Sequence, residues 1–176
     1  MYLTHNGQPI KHCMPIIYTV PADTPEELHD IIIDEVEYWN RVMGKKIFYN
    51  TDNMGYSMGS TYLYGVYTIG TVPELTGSSW RTKTCGKTKY DHRNNCFISV
   101  RTEIDIKCTE DPNLLRTIVR HEVGHALGLC DRTDITGIMR SSVSKTEHHP
   151  LDVTEDEIEA LKKLYTKKRI IFKDEN

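Results

Sequence analysis

Arg120-His-Glu-Val-Gly-His-Ala-Leu-Gly-Leu-Cys-Asp131 is the stretch around which the rest of the chain is read. His121 and His125 stand four apart, so on an α-helix they project from one face, a turn apart. Two imidazole nitrogens placed this way can reach a single metal ion at about 2.0–2.1 Å. Glu122 follows the first of them, where its carboxylate addresses a water on the metal rather than the metal itself. Gly128 falls where the helix must stop, because glycine takes the left-handed conformation at little cost. The chain then turns back and brings Asp131 as a third ligand. Two imidazoles, one carboxylate and an open position describe a catalytic site for one Zn2+ ion, not a closed structural site.

The surroundings of the motif support this reading. Leu114, Leu115, Ile118, Val119, Val123, Ala126 and Leu127 make the helix apolar nearly all round, so it is expected to be buried. Two histidines and a glutamate are costly inside such a helix unless something binds them. A bare H-E-x-x-H arises by chance in roughly one chain of this length in several hundred, and requiring the glycine and the third ligand makes it about two orders of magnitude rarer. Asp111-Pro112 starts the helix, with a capping side chain followed by proline.

Beyond the third ligand, Asp134-Ile-Thr-Gly-Ile-Met139-Arg-Ser-Ser places a methionine in a turn-like segment. Residues 120–139 together resemble the zinc-binding and Met-turn signature of the metzincin metallopeptidases. The resemblance implies an α+β, zincin-like fold: a small mixed twisted sheet, a backing helix, a central zinc-binding helix, and a C-terminal helix after the Met-turn. It further implies that Met139 is an apolar floor under the ligands. The order of elements is similar to a matrixin-like catalytic domain over roughly residues 15–165. Two departures stand out. Asp131 occupies the third-ligand position as in the snapalysin-like branch, and Ser141 replaces both the tyrosine of astacins and the proline common in matrixins.

Along the chain, residues 1–11 read as polar and irregular, and Met14-Pro-Ile-Ile-Tyr-Thr-Val20 as a first strand. Thr24-Pro25-Glu26-Glu27 predicts a helix start with Thr24 as cap and Glu27 closing a capping box. Leu28, Ile31, Ile32, Val36, Trp39 and Met43 then follow at helical spacing until Gly44. Strands are expected over residues 46–50, 62–72 and 96–106, with an unplaced edge strand somewhere in residues 73–95. Thr154 and Glu157 form a second capping box, opening the last helix. No repeat or linker interrupts the 176 residues, which read as one catalytic domain with an N-terminal segment at 1–13 and a tail at 167–176.

Lys plus Arg number 22 against 25 Asp plus Glu, a net charge of −3 that gives nucleic acid no electrostatic foothold. No apolar run approaches a membrane span, and the first residues carry no secretory signal. The chain therefore stays where it is made, leaves by a non-classical route, or has lost a leader. Five cysteines leave at least one unpaired in a monomer, and none forms a C-x-x-C pair. Reduced thiols are the default without a signal, with Cys85 and Cys96 the pair expected in an oxidising setting. Cys13 is a poor match to a cysteine switch and reads as a free structural thiol.

These readings converge on a zinc endopeptidase in which Glu122 is the general base and a protein or peptide substrate lies along a sheet edge. The chain is expected to be monomeric unless part of a larger assembly. The alternative is a metzincin-like binding or assembly module, for example in a phage or toxin, and the basic-apolar tail at 167–173 would be its docking segment. His148 and His149 are the remaining candidates for a second metal site.

Overall fold

The computed structural model of the chain describes residues 1–51, 65–75, 83–108, 110–133, 136–144 and 146–166. In chain order the described elements begin with β1 (Thr4–His5), β2 (Gln8–Pro9), β3 (Ile16–Thr19), α1 (Glu26–Met43) and β4 (Phe48–Asn50). They continue with β5 (Val66–Val72), β6 (Gly86–Arg93), β7 (Cys96–Asp105), a 3-10 turn (Ile106–Cys108), α2 (Pro112–Ala126) and α3 (Glu155–Thr166). Strands β3 to β7 form one sheet in the order β4-β3-β5-β7-β6. Its first four members are parallel, and β6 runs antiparallel to β7 on the edge. The sheet is therefore mixed, as expected.

The edge strand that sequence reasoning left unplaced is β6. It is joined to β7 by Asn94 and Asn95, at φ 51° and 61°. Asparagine tolerates this left-handed region, and two such residues in succession make the hairpin turn whose twist matches the flanking strands. The same device shapes the N-terminus. Asn6 (φ 51°) and Gly7 (φ 74°) close a β1–β2 hairpin where an irregular segment was predicted. That segment is anchored by Ile10, which is 1% exposed, and by backbone bonds from Leu3 N to Gly128 O (2.8 Å) and from Cys130 N to Met1 O (2.9 Å).

Helix α1 crosses between the parallel strands β3 and β4, as a parallel connection requires. It starts one residue later than predicted. Pro25 has an extended ψ of 137° and is itself the cap, so no Thr24–Glu27 capping box forms and the buried Thr24 hydroxyl has no hydrogen-bond partner among the described residues. At the other end Gly44 takes the left-handed conformation (φ 65°) as predicted. The core lies between the sheet and the helices, with Trp39, Val36 and Ile32 of α1 meeting Leu115, Val119 and Val123 of α2 and Tyr67, Ile69 and Ile104 of the sheet.

The cysteines correct the sequence reading. Cys13 pairs with Cys96 and Cys85 with Cys108, while Cys130 is free. Four of the five thiols are therefore paired rather than reduced, Cys130 is the unpaired one expected of an odd count, and the pairing is not Cys85–Cys96. Lys11 bridges to Cys96 alongside β7, which brings Cys13 to that end of the sheet, and Cys85 at the start of β6 reaches the turn after β7. No described helix is long and apolar enough to cross a membrane. The tail at 167–176 lies outside the described residues.

Candidate metal centre

Helix α2 begins as predicted. Asp111 is its cap and accepts from the backbone N–H groups of Asn113 (2.9 Å) and Leu114 (3.3 Å), and Pro112 follows. Its end is a complete Schellman turn. Gly128 N donates to His125 O (2.9 Å) and Leu129 N to Gly124 O (3.0 Å), with Gly128 at φ 104°. Any side chain at Gly128 would also meet the Ile10 carbonyl oxygen, 2.6 Å from where its Cβ would stand. The glycine thus satisfies both a backbone conformation and a close approach.

The turn delivers Asp131 back to the helix face that carries His121 and His125. Asp131 Oδ1 lies 3.2 Å from His121 Nε2 and 3.3 Å from His125 Nε2, and the two rings stand at 90° with centroids 4.6 Å apart. Each imidazole is oriented from behind. His121 Nδ1 donates to Ile138 O (2.8 Å) and His125 Nδ1 to Leu129 O (2.9 Å). That fixes the tautomer, so both Nε2 lone pairs face the Asp131 carboxylate. Three acceptor groups turned on one another repel unless they share a cation. Among the described residues, His121, His125 and Asp131 form the one group able to hold a metal ion.

The electrostatics follow the geometry. When their Nε2 atoms are protonated, His121 and His125 donate to the Asp131 carboxylate, and this hydrogen bonding holds its carboxyl well below the usual carboxylate range. Burial works against charging His121, but Asp131, Glu122 and the Ile138 carbonyl together outweigh it and raise that pKa. Glu122, 5% exposed, lies against the edge strand, where Thr88 Oγ1 donates to its Oε2 (2.7 Å).

Met139 is fully buried. A Cβ on Gly124 would collide with its sulfur and meet Trp39 Cζ2 at 3.5 Å, so the middle glycine of the motif is what lets the methionine lie against the helix between the two histidines. Its turn is pinned on two sides. Arg132 N donates to Met139 O (2.8 Å) and Ser141 N to Arg132 O (3.0 Å), which ties the turn to the residue after Asp131. From the other side Glu157, 0% exposed, accepts from Met139 N (2.8 Å) and Ile138 N (3.4 Å). The same carboxylate accepts from Thr154 N (2.7 Å), so the predicted capping box of α3 also holds the methionine turn.

Sequence reasoning missed Gly124, the hold of Glu157 on the methionine turn, and the first residue of the quoted stretch. Arg120 is buried in an ion pair with Glu35 of α1, bonds Leu151 O (2.8 Å), and stacks 3.8 Å over the Tyr38 ring. Its own carbonyl accepts from Trp39 Nε1 (3.1 Å). Glu35 and the consecutive run Glu37-Tyr38-Trp39 were visible on the predicted helix, but Arg120, which meets Glu35, Tyr38 and Trp39, lies more than eighty residues away. His149 is not a metal ligand. Its ring is used by Thr117 Oγ1 (2.9 Å) and Ser144 O (2.8 Å), which leaves no second metal-binding group among the described residues.

Comparison with curated proteins gives no match. The matrixin family model, by contrast, matches residues 20–166, from the end of the first long strand to the end of α3. That span holds all three described helices, the metal-capable cluster and the methionine turn, so the chain belongs to the matrixin family and is a zinc-dependent metalloendopeptidase.

Proposed function

We propose that His121, His125 and Asp131 hold one Zn2+ ion and that Glu122 is the general base of peptide hydrolysis. The observation that carries the assignment is the pair of Nδ1 hydrogen bonds to Ile138 O and Leu129 O, which aims both Nε2 lone pairs at the Asp131 carboxylate. Two nitrogens and one carboxylate oxygen suit zinc, and fewer than four protein ligands leave a position open. Bound there, the ion supplies a Lewis acid that polarises the scissile carbonyl and lowers the pKa of a water towards about 7.

The chain's own residues do the rest. Glu122 accepts the proton of the attacking water and delivers it to the leaving amine. The β6 edge faces away from β7 and receives the substrate as an added strand, through main-chain hydrogen bonds. Met139 supports the ligands by packing alone. The whole of residues 1–176 acts as one catalytic domain, monomeric, on a protein or peptide substrate and without nucleic acid.

The test is metal content measured beside cleavage of an unfolded protein, with and without chelator. We expect one zinc per chain and chelator-sensitive cleavage. Glu122→Ala keeps the zinc and loses about 10² or more in turnover. Retention of stoichiometric zinc by His125→Ala, or undiminished turnover by Glu122→Ala, would overturn the assignment.

A further inference from the structure

Behind Glu122 three hydroxyls stand in line across three neighbouring strands. Thr88 Oγ1 of β6 is 2.7 Å from Glu122 Oε2, 2.8 Å from Thr102 Oγ1 of β7 lies next, and Tyr67 OH of β5 is 2.9 Å beyond that. Thr88 and Thr102 are register partners, so the sheet's own pairing makes the central link. Thr102 is 0% exposed and Tyr67 1%.

The direction of the line is fixed by counting protons. An ionised carboxylate only accepts, and each hydroxyl has a single proton to give. Thr88 Oγ1 lies 3.1 Å from the Glu122 backbone oxygen as well as 2.7 Å from Oε2, so its one proton goes to Glu122; Thr88 then accepts from Thr102, which accepts from Tyr67. Burial raises the Tyr67 phenol far above its usual pKa, so the far end of the line remains a donor. Such a chain polarises each bond in the same sense.

The carboxylate is also confined sterically. A Cβ on Gly86, two residues before Thr88 on the same face, would stand 2.6 Å from Glu122 Cγ and 2.7 Å from Oε1. Gly86 is thus a slot that admits the carboxylate and Thr88 a hydroxyl that holds one of its oxygens. Cys85, next to the slot, is tied to Cys108 at the turn leading into α2, which keeps strand and helix start together.

We propose that Thr88 is a positioning residue that aims the Glu122 carboxylate in the cleft, and is itself oriented by Thr102 and Tyr67. This rests on the reading of Glu122 as general base. A residue that merely tied β6 to α2 would matter for folding. A residue that aims the base matters for turnover, where a misplacement of about 1 Å can cost 10²-fold.

Two measurements decide between them. In the zinc-loaded protein, Thr88→Val is expected to keep one zinc per chain, lower the thermal midpoint by a few degrees while remaining folded at the assay temperature, hold KM within about twofold, and lower kcat about 10–100-fold. Thr88→Ser, which restores the hydroxyl, is expected to recover most of that kcat. Wild-type kcat in Thr88→Val, or an equal loss in Thr88→Ser, overturns the proposal. In the metal-free wild-type protein, proton NMR is expected to show a slowly exchanging Thr88 hydroxyl signal that moves on Glu122→Gln. Its absence overturns the proposal even if Thr88→Val fails to fold. A zinc-loaded wild type that cleaves no peptide would instead remove the general-base reading, while the hydroxyl signal would still decide whether Thr88 holds Glu122.

Discussion

Glu157→Gln is the most informative single change, because it keeps the shape of the side chain and touches no ligand of the proposed zinc. The carboxylate is 0% exposed and accepts from Met139 N at 2.8 Å, Thr154 N at 2.7 Å and Ile138 N at 3.4 Å. Every one of these partners donates. An amide offers one oxygen, so whichever way it turns, its NH2 faces at least one backbone N–H. A buried donor left unsatisfied costs about 1–3 kcal/mol, and the surviving bonds lose their charge assistance. Against this, a neutral amide avoids the desolvation that a buried carboxylate suffers. We expect a net loss of about 2–4 kcal/mol. For a chain of this size that corresponds to a thermal midpoint lowered by roughly 4–16 °C. Zinc affinity is expected to fall about 10–100-fold, because Ile138 O, which orients His121, belongs to the turn that Glu157 holds. The assay is thermal unfolding of the metal-free protein and competitive zinc titration, with the exposed Glu159→Gln on the same helix as the control. Wild-type behaviour of Glu157→Gln in both measurements would refute the reasoning.

The remaining expectations rest on other parts of the same frame. Gly128→Ala forces a φ near 104° on an L-residue and drives a Cβ to 2.6 Å from Ile10 O, so it is expected to destabilise by roughly 2–4 kcal/mol; a loss under about 1 kcal/mol in chemical denaturation would contradict the tight turn. Met139→Leu conserves volume and is expected to cost under about 1.5 kcal/mol, whereas Met139→Ser leaves a cavity and a hydroxyl in an apolar floor and loses about 2–4 kcal/mol with weaker zinc binding. Equal stability of the two variants would remove the floor. His12 is held neutral, with its pKa lowered from 6.5 to about 4 by burial, partly offset by its bond to Ala126 O. A depressed histidine contributes stability that is complete above pH 6.5 and lost as pH falls through 6.5 towards about 4. In the metal-free protein His12→Asn should therefore show a shallower acid destabilisation over that window, by up to about 3 kcal/mol; parallel pH profiles would show that His12 is not the group responsible.

The parts of this structure that could be read in the sequence are those whose partners are near neighbours. Asp111 caps residues two and three beyond it, Thr154 and Glu157 cap each other, and Gly44 and Gly128 end their helices within a turn. The ligand face is local as well, since His121, His125 and Asp131 span eleven residues. Asn6-Gly7 and Asn94-Asn95 were equally local, and they mark the two hairpins that composition made look irregular. What stayed illegible depends on distant partners. Glu35 meets Arg120 across 85 positions, and Cys13 meets Cys96 across 83. No periodicity reports such pairings. The Thr24 cap failed for a different reason: the proline meant to start the helix took an extended ψ and became the cap itself.

The groups that orient His121 and His125 are backbone carbonyls, and this bears on how the proposed site answers to pH. Ile138 O and Leu129 O come from two turns, one held by Glu157 and the other by the glycine at 128. Carbonyls placed this way act only on Nδ1, and they commit both Nε2 atoms to the same small volume as the Asp131 carboxylate. A third histidine there would be neutral. Asp131 instead brings a negative charge that raises the His121 pKa while its own is lowered. The charge favours any cation in the cluster, and a proton is one of them. In the proposed site metal and proton would compete for the same Nε2 lone pairs, so metal affinity is expected to fall as acidity rises. As a ligand, Asp131 would also donate more charge to the ion than an imidazole does, which would make the ion a weaker Lewis acid. If the proposed ligands hold the ion, both effects act in the same direction, and the pH optimum is expected to lie above that of a site built from three histidines.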